Sequence, residues 1–153
     1  MKTICLTMIV KDEIKVIERC LNSIKDSINY WVICDTGSTD GTQDCIKRYF
    51  EENNIRGELH EVPWKNFGYN RTLVFEKAKN KGDYYLVIDA DDILKGNKII
   101  INNDDYDSYY IEIKYNNLLF KRKQLFSSKY NWKYIGVLHE YAECEKKILQ
   151  LEQ

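Results

Sequence analysis

Hydrophobic residues form two patterns along the first 90 residues: continuous runs, and repeats at spacings of three and four. The continuous runs cover residues 4–10, 30–34 and 84–88 and contain few polar positions. Runs of this length are typical of strands that are covered on both faces, as parallel strands are. A shorter run at residues 59–64 predicts one more strand.

Between these runs the apolar spacing is helical. One apolar face of a first helix contains Ile14, Ile17, Leu21, Ile24 and Ile28. A second helix is predicted around residues 45–50, and a third after Asn70 and Arg71. Strand–helix alternation repeated three times predicts an α/β fold, with a Rossmann-like, mostly parallel central sheet and helices on both faces.

The pattern changes after Asp92. Residues 109–115 alternate between apolar and polar, and the Asn-Asn pair at 116–117 precedes a second apolar run at 118–120. This arrangement predicts a β-hairpin. With a further strand through residues 132–138, the C-terminal part is predicted to be mixed or antiparallel.

Composition narrows the class of protein. The 153 residues are 44% hydrophobic and 31% charged, which is the profile of a folded domain. No linker or repeat divides them. We therefore expect a single domain over residues 1–153, in which residues 1–95 form a ligand-binding half and residues 96–153 a shorter half.

Charge and cysteine content indicate the partners and the compartment. Lysine and arginine number 23 against 24 acidic residues, a net charge of -1, which argues against nucleic acid as the main partner. The five cysteines include no C-x-x-C pair, so they are expected to be reduced. The N-terminal apolar run of residues 4–10 is too short to span a membrane. These features predict a cytoplasmic protein with no transmembrane segment and leave the oligomeric state open.

Acidic residues follow the predicted strands at their carboxyl ends, where open parallel sheets bind ligands. Asp35 follows the second strand, and Asp89, Asp91 and Asp92 follow the fourth. Carboxylates ~4 Å apart repel by roughly 4 kcal/mol per pair at an effective dielectric constant of 20, and a divalent cation relieves that repulsion. Oxygen ligands favour Mg²⁺ or Mn²⁺. The alternative is a solvated acidic turn.

The sequence lacks the motifs of two common classes of nucleotide-binding protein. No G-x-G-x-x-G follows the first strand, and G-x-x-x-x-G-K-[ST] does not occur. Both a dinucleotide dehydrogenase and a P-loop NTPase are therefore disfavoured.

Five segments, in order and with matching spacing, resemble the family 2 glycosyltransferases of the GT-A fold. They are residues 6–13, 18–24, 35–42, 70–71 and 89–92. The resemblance covers residues 3–95 closely. More loosely, residues 132–140 resemble the Gly-x-x-His-Glu element of a subgroup that includes lipopolysaccharide-core β-glucosyltransferases and peptide S-glycosyltransferases.

The resemblance implies a role for each matching residue on the donor side. Asp35 would bind the uracil of a nucleotide-sugar, and Val10 would lie against the base. Arg71 would contact the diphosphate. Asp89 and Asp91 match the D-x-D pair, with Asp89 near the ribose and Asp91 on the metal.

The same resemblance implies the residues of the reaction itself. Glu140 is the predicted general base, and Asp92 is the next candidate for a catalytic carboxylate. His139 is predicted to bind the metal or to orient a residue that does. The predicted function is metal-dependent, inverting transfer of a sugar from UDP-glucose or a UDP-N-acetylhexosamine to an unidentified acceptor. Two alternatives remain: an inactive nucleotide-sugar-binding module, and a nucleotidyltransferase, which lacks its usual glycine-rich basic loop here.

The sequence departs from the family pattern in two places. Asp12 stands where asparagine is common. The region after Asp92 is shorter than in many relatives. The acceptor-binding part is accordingly expected to be minimal, supplied by a partner, or located elsewhere in a longer protein.

Overall fold

Strands and helices alternate over the first 90 residues of the computed structural model, which describes residues 1–115, 117–135 and 141–144. The elements of this half are β1 (Ile4–Val10), α1 (Ile17–Ile24), β2 (Tyr30–Asp35), α2 (Thr42–Glu52), β3 (Gly57–Glu61), α3 (Phe67–Lys77) and β4 (Tyr84–Val87). The elements of the second half are β5 (Ser108–Tyr115), β6 (Leu118–Ser127), β7 (Trp132–Ile135) and β8 (Tyr141–Cys144). A short 3-10 turn at Lys25–Ser27 follows α1.

Six strands form one sheet in the order β3-β2-β1-β4-β6-β5. The first four are parallel, whereas β6 runs antiparallel to both β4 and β5. The small β7–β8 pair is antiparallel and separate from this sheet. The predicted mostly parallel sheet with a mixed C-terminal part is confirmed.

The central strand β1 explains why its sequence is an almost continuous apolar run. It pairs with β2 on one side and β4 on the other, and six of its seven residues are buried. Helices α1 and α2 pack on one face of the sheet through Leu21 and Phe50, and α3 packs on the other through Val74 and Phe75. The prediction of helices on both faces is confirmed.

Two element boundaries differ from the sequence-based expectation. Strand β3 ends at Glu61, before the chain turns at Pro63, a residue with no N–H for a sheet hydrogen bond. Helix α3 begins at Phe67, because the Asn66 side chain accepts a hydrogen bond from the N–H of Tyr69 at 2.7 Å and caps the helix. Arg71 therefore lies inside α3 and not ahead of it.

The predicted hairpin is confirmed as β5 and β6, which pair from Ser108 opposite Phe126 to Tyr115 opposite Leu118. Its turn residue Asn116 lies outside the described residues. Strand β7 covers the start of the predicted strand at 132–138, and residues 136–140 also lie outside the description.

Candidate functional site

A cleft of about 390 Å³ opens beyond the carboxyl ends of β1 and β4. The strand order reverses across β1, which has β2 on one side and β4 on the other, and crevices of open α/β sheets form at such points. Val10, Arg71, Asp89 and Asp91 line this cleft together. The structure thus brings together four of the residues that the sequence placed at a ligand site.

Asp35, at the end of β2, lies beside the cleft and is only 1% exposed. It pairs with Val10 across the strands, and the next residue, Thr36, lines the cleft. Its Oδ1 accepts hydrogen bonds from the N–H groups of Gly37 and Ser38, both at 2.8 Å. Its Oδ2 is buried with no hydrogen-bond partner among the described residues.

The charge state of Asp35 follows from these contacts. Burial alone raises the pKa of a carboxyl group, but hydrogen bonding from Ser38 and Gly37, together with the nearby side chain of Gln43, outweighs burial and lowers the pKa of Asp35. The side chain is therefore an anion with one unused oxygen. A buried, unpaired carboxylate oxygen is costly unless a ligand donates to it.

The loop after β2 is locked to the loop after β1. Asp12 accepts a hydrogen bond from the N–H of Thr39 at 2.8 Å and donates its own N–H to Ser38 Oγ at 2.8 Å. Asp12 has a φ of 52°, a left-handed conformation that asparagine and aspartate tolerate better than most residues. Asparagine could make the same two hydrogen bonds and adopt the same φ. This explains how aspartate can stand where asparagine is common in the family that the sequence resembles.

Arg71 links α3 to the acidic end of β4. Its guanidinium Nη2 donates to Asp89 Oδ1 at 3.0 Å, and its side chain is 16% exposed. The rings of Phe67 and Tyr134 lie 5.8 and 5.6 Å from the guanidinium carbon. These contacts hold a cation at the cleft wall beside the carboxylates.

Asp89, Asp91 and Asp92 bring one carboxylate oxygen each to within 4.8 Å of one another. Burial, followed by the negative charges of Asp89 and Asp91, raises the pKa of Asp92. Burial and the charges of Asp91 and Asp89 also raise the pKa of Glu13, which lines the same cleft. The three oxygens suit a hard divalent cation in geometry and charge, since bound Mg²⁺ typically takes one or two carboxylates and leaves positions for phosphate.

Two aromatic residues of the cleft were not expected from the sequence. Trp64 and Phe67 line the cleft with their rings in a T-shaped arrangement, their centroids 4.8 Å apart. Their spacing of three residues, just ahead of Arg71, was a usable signal, but exposed and buried aromatic residues look alike in a sequence. Lys11 and Glu13 also line the cleft, and both belong to a segment that carried the family resemblance.

Two predicted residues, His139 and Glu140, lie outside the described residues. Their roles as metal ligand and general base therefore stay predictions. Across the described ranges 1–115, 117–135 and 141–144, no helix combines the length and hydrophobicity needed to cross a bilayer.

The strand order and the acidic end of β4 define an α/β domain of the GT-A type. Residues 5–101 match the profile of glycosyl transferase family 2. The chain belongs to this family.

Curated relatives match almost the whole chain. The SPbeta prophage-derived glycosyltransferase SunS of Bacillus subtilis (strain 168) is 35% identical over 150 residues, which cover 90% of this chain and 34% of SunS. The chain thus spans about a third of the length of this curated relative.

Solved structures with the same fold include two glycosyltransferases. Mannosyltransferase PcManGT of Pyrobaculum calidifontis, in complex with GDP-Man and Mn²⁺, is 20% identical, with a TM-score of 0.55 over 62% of this chain and 29% of that one. S. aureus TarS in complex with UDP-GlcNAc is 22% identical, with a TM-score of 0.50 over 60% of this chain and 27% of that one. At these identities the likeness concerns the fold.

Proposed function

We propose that this chain is the donor-binding and catalytic domain of a metal-dependent, inverting glycosyltransferase that uses a UDP-sugar. The observation that carries the proposal is a cleft lined by Arg71, Asp89 and Asp91. Asp35 pairs with the cleft residue Val10, and Asp92 clusters with Asp89 and Asp91. On this proposal residues 1–153 act as a single domain, with residues 1–95 binding the donor.

Structural relatives bind both UDP-sugars and GDP-sugars, so they leave the nucleobase open. We assign it from Asp35 of this chain. The free Oδ2 of Asp35 is an acceptor with no described partner. Uracil presents an N3–H that can donate to it, and Val10 beside it offers an apolar contact for the ring. Cytosine has an unprotonated N3 at the same position, and its lone pair would face the carboxylate.

The diphosphate is assigned to the β4 end of the cleft. Arg71 places a planar guanidinium cation at this end of the cleft, and guanidinium groups suit phosphate oxygens. Asp91, with Asp89 and Asp92 beside it, would hold Mn²⁺ or Mg²⁺. When bound, the metal supplies charge neutralisation on the diphosphate and makes the nucleoside diphosphate a better leaving group.

In the transfer step the acceptor hydroxyl oxygen forms a bond to the anomeric carbon of the donor sugar. The bond from that carbon to the phosphate oxygen breaks on the opposite side, so the anomeric configuration inverts. The hydroxyl proton passes to a carboxylate, predicted to be Glu140, with Asp92 as the second candidate. The donor sugar is proposed to be glucose or an N-acetylhexosamine.

A nucleotide panel tests this proposal. UDP, GDP, CDP and ADP would be titrated calorimetrically into the protein with Mn²⁺ present. The expected order is UDP tightest, with CDP and ADP at least tenfold weaker, because neither cytosine nor adenine presents a ring N–H where uracil does. Equal binding of UDP and CDP would refute the assignment of Asp35 and with it the UDP-sugar donor.

A further inference from the structure

The acidic residues after β4 belong to a turn at the start of a long loop. The N–H of Asp92 donates to the Asp89 carbonyl oxygen at 3.0 Å and closes the turn. Residues 88–107, all of them described, form no helix or strand. The three carboxylates of the turn repel one another when no cation lies between them. The contacts that the turn makes with the rest of the protein therefore decide whether it keeps its form.

Helix α1 makes two of these contacts through neighbouring residues. The thiol of Cys20 donates to the Asp89 carbonyl oxygen at 3.4 Å, and Nη2 of Arg19 donates to the Asp91 carbonyl oxygen at 3.3 Å. Cys20 is fully buried, so its thiol is fixed in place by the core. Neither contact uses a carboxylate oxygen of the acidic cluster.

Ser23 ties the far end of the turn to the same helix. Its Oγ accepts from the N–H of Leu94 at 3.0 Å and donates to the Cys20 carbonyl oxygen at 2.6 Å. Leu94 lies two residues past Asp92 and packs against the hydrophobic core. One turn of α1 thus holds the acidic turn at both ends.

Ser27 makes the same kind of contact further along the loop. Its Oγ accepts from the N–H of Ile99 at 2.9 Å. Ile99 lies seven residues past Asp92, outside the acidic turn. Ser23 and Ser27 are therefore a matched pair, in which only the first contact adjoins the carboxylates.

We propose that Cys20 and Ser23, with Arg19, are positioning residues that hold the Asp89–Asp92 turn in its metal-binding form before the cation arrives. This inference rests on the proposed metal-dependent function. The three residues act through the backbone of the turn and do not bind the metal themselves. A turn that is already ordered loses less conformational entropy on binding. Loss of groups that orient metal ligands typically weakens metal binding about 10- to 100-fold.

The test titrates UDP calorimetrically at a series of Mn²⁺ concentrations, and the Mn²⁺ concentration that gives half of the gain in UDP affinity is the readout. Cys20→Ala and Ser23→Ala should each raise this concentration about 10-fold or more. Ser27→Ala should leave it at the parent value. With EDTA, all variants should bind UDP as the parent does. Arg19 is not replaced, because its loss would also remove a positive charge beside the cluster.

A conservative variant separates positioning from stability. Cys20→Ser keeps a donor to the Asp89 carbonyl and should need no more Mn²⁺ than the parent. The unfolding temperature of each variant would be recorded, and the titrations would be made well below it. Ser23→Ala and Ser27→Ala each lose one hydroxyl contact to a backbone N–H, so comparable falls in unfolding temperature are expected.

The outcomes separate this inference from the proposed function. If either Cys20→Ala or Ser23→Ala needs no more Mn²⁺ than the parent, the positioning role of that residue is refuted and the metal site stands. An equal rise in Ser27→Ala would refute both roles, because the effect would then follow the stability of the loop. If the UDP affinity of the parent does not respond to Mn²⁺, the proposed metal-dependent function itself fails, and this inference fails with it.

Discussion

The guanidinium of Arg71 lies 3.0 Å from Oδ1 of Asp89 and so joins the second turn of α3 to the residues that follow β4. The pair crosses the cleft wall where the donor diphosphate is proposed to lie. The ion pair keeps the arginine extended towards the carboxylates, whereas an arginine without this contact would sample many rotamers. A phosphate that arrives there meets a cation already in position.

Replacing Arg71 by lysine should therefore affect the diphosphate and not the base. Lysine keeps the charge but cannot donate to Asp89 and to phosphate through a planar fork. We expect Arg71→Lys to weaken UDP binding by about 1.5–3 kcal/mol and to leave uridine binding unchanged. Calorimetry with both ligands measures this. Arg48→Lys, on the exposed side of α2, is the control and should match the parent; equal UDP affinity in Arg71→Lys would count against the assignment.

Asp35→Asn should change the preference between bases. The N–H groups of Gly37 and Ser38 hold Oδ1 in place, so the new amide nitrogen replaces Oδ2 and presents a donor to the base. We expect UDP affinity to fall by about 1–3 kcal/mol, while CDP, whose N3 accepts, loses less or gains. The ratio of the two dissociation constants is the readout. An unchanged ratio would mean that Asp35 does not contact the base.

Asp35→Ala should behave differently from Asp35→Asn, because it leaves two backbone donors without a partner. The free energy of unfolding should fall by about 1–3 kcal/mol in the alanine variant and by less in the asparagine variant. Urea denaturation monitored by circular dichroism compares the two. Equal losses would show that the Oδ1 contacts with Gly37 and Ser38 contribute little to stability.

Acid stability should depend on Asp35. Its pKa in the folded state is held below the ordinary value of 3.8, because hydrogen bonds to the carboxylate outweigh burial. The ionised group therefore adds stability that is fully present above about pH 4 and is lost as the pH falls through the folded pKa. In Asp35→Asn this part of the acid dependence should be absent. Unfolding free energies from pH 5 to pH 2 test it, and identical slopes for parent and variant would contradict it.

The four buried cysteines should be unreactive in the folded protein. Burial raises the pKa of the Cys5 and Cys20 thiols to about 12 and that of Cys34 to about 11, so almost no thiolate is present at neutral pH. All five cysteines are free, and Cys144 is the most exposed. A thiol reagent at pH 8 should label Cys144 first and the four buried thiols only as the protein unfolds. Rapid labelling of all five would be inconsistent with this burial.

Most of the first half of the fold was predictable from the hydrophobic pattern. A strand that is covered on both faces needs apolar residues along its whole length, and a helix that packs on the sheet needs them on one face. The hydrophobic pattern located β1, β2 and β4 within one residue at each end. It misplaced β3 and the start of α3, where the boundaries depend on Pro63 and on the Asn66 cap. These are local hydrogen-bonding effects that hydrophobicity does not record.

The candidate site was predicted in part. Acidic residues after strands identified Asp35 and the Asp89 cluster, since strand ends converge in any parallel sheet. The half-exposed pair of Trp64 and Phe67 was missed, because exposure depends on the angle at which the chain leaves β3. The interlocking of Asp12 with Thr39 was missed as well, because it joins loops that are 27 residues apart in sequence.

Metal-dependent UDP binding tests the account most directly. UDP would be titrated calorimetrically into the parent and into Asp91→Ala, each with Mn²⁺ and again with EDTA. We expect the parent to bind UDP at least tenfold more tightly with Mn²⁺, because the metal lets the carboxylate cluster and the diphosphate share one site. Asp91→Ala should bind UDP weakly and equally under both conditions. A parent whose UDP affinity is the same with Mn²⁺ and with EDTA would contradict the metal-dependent donor site.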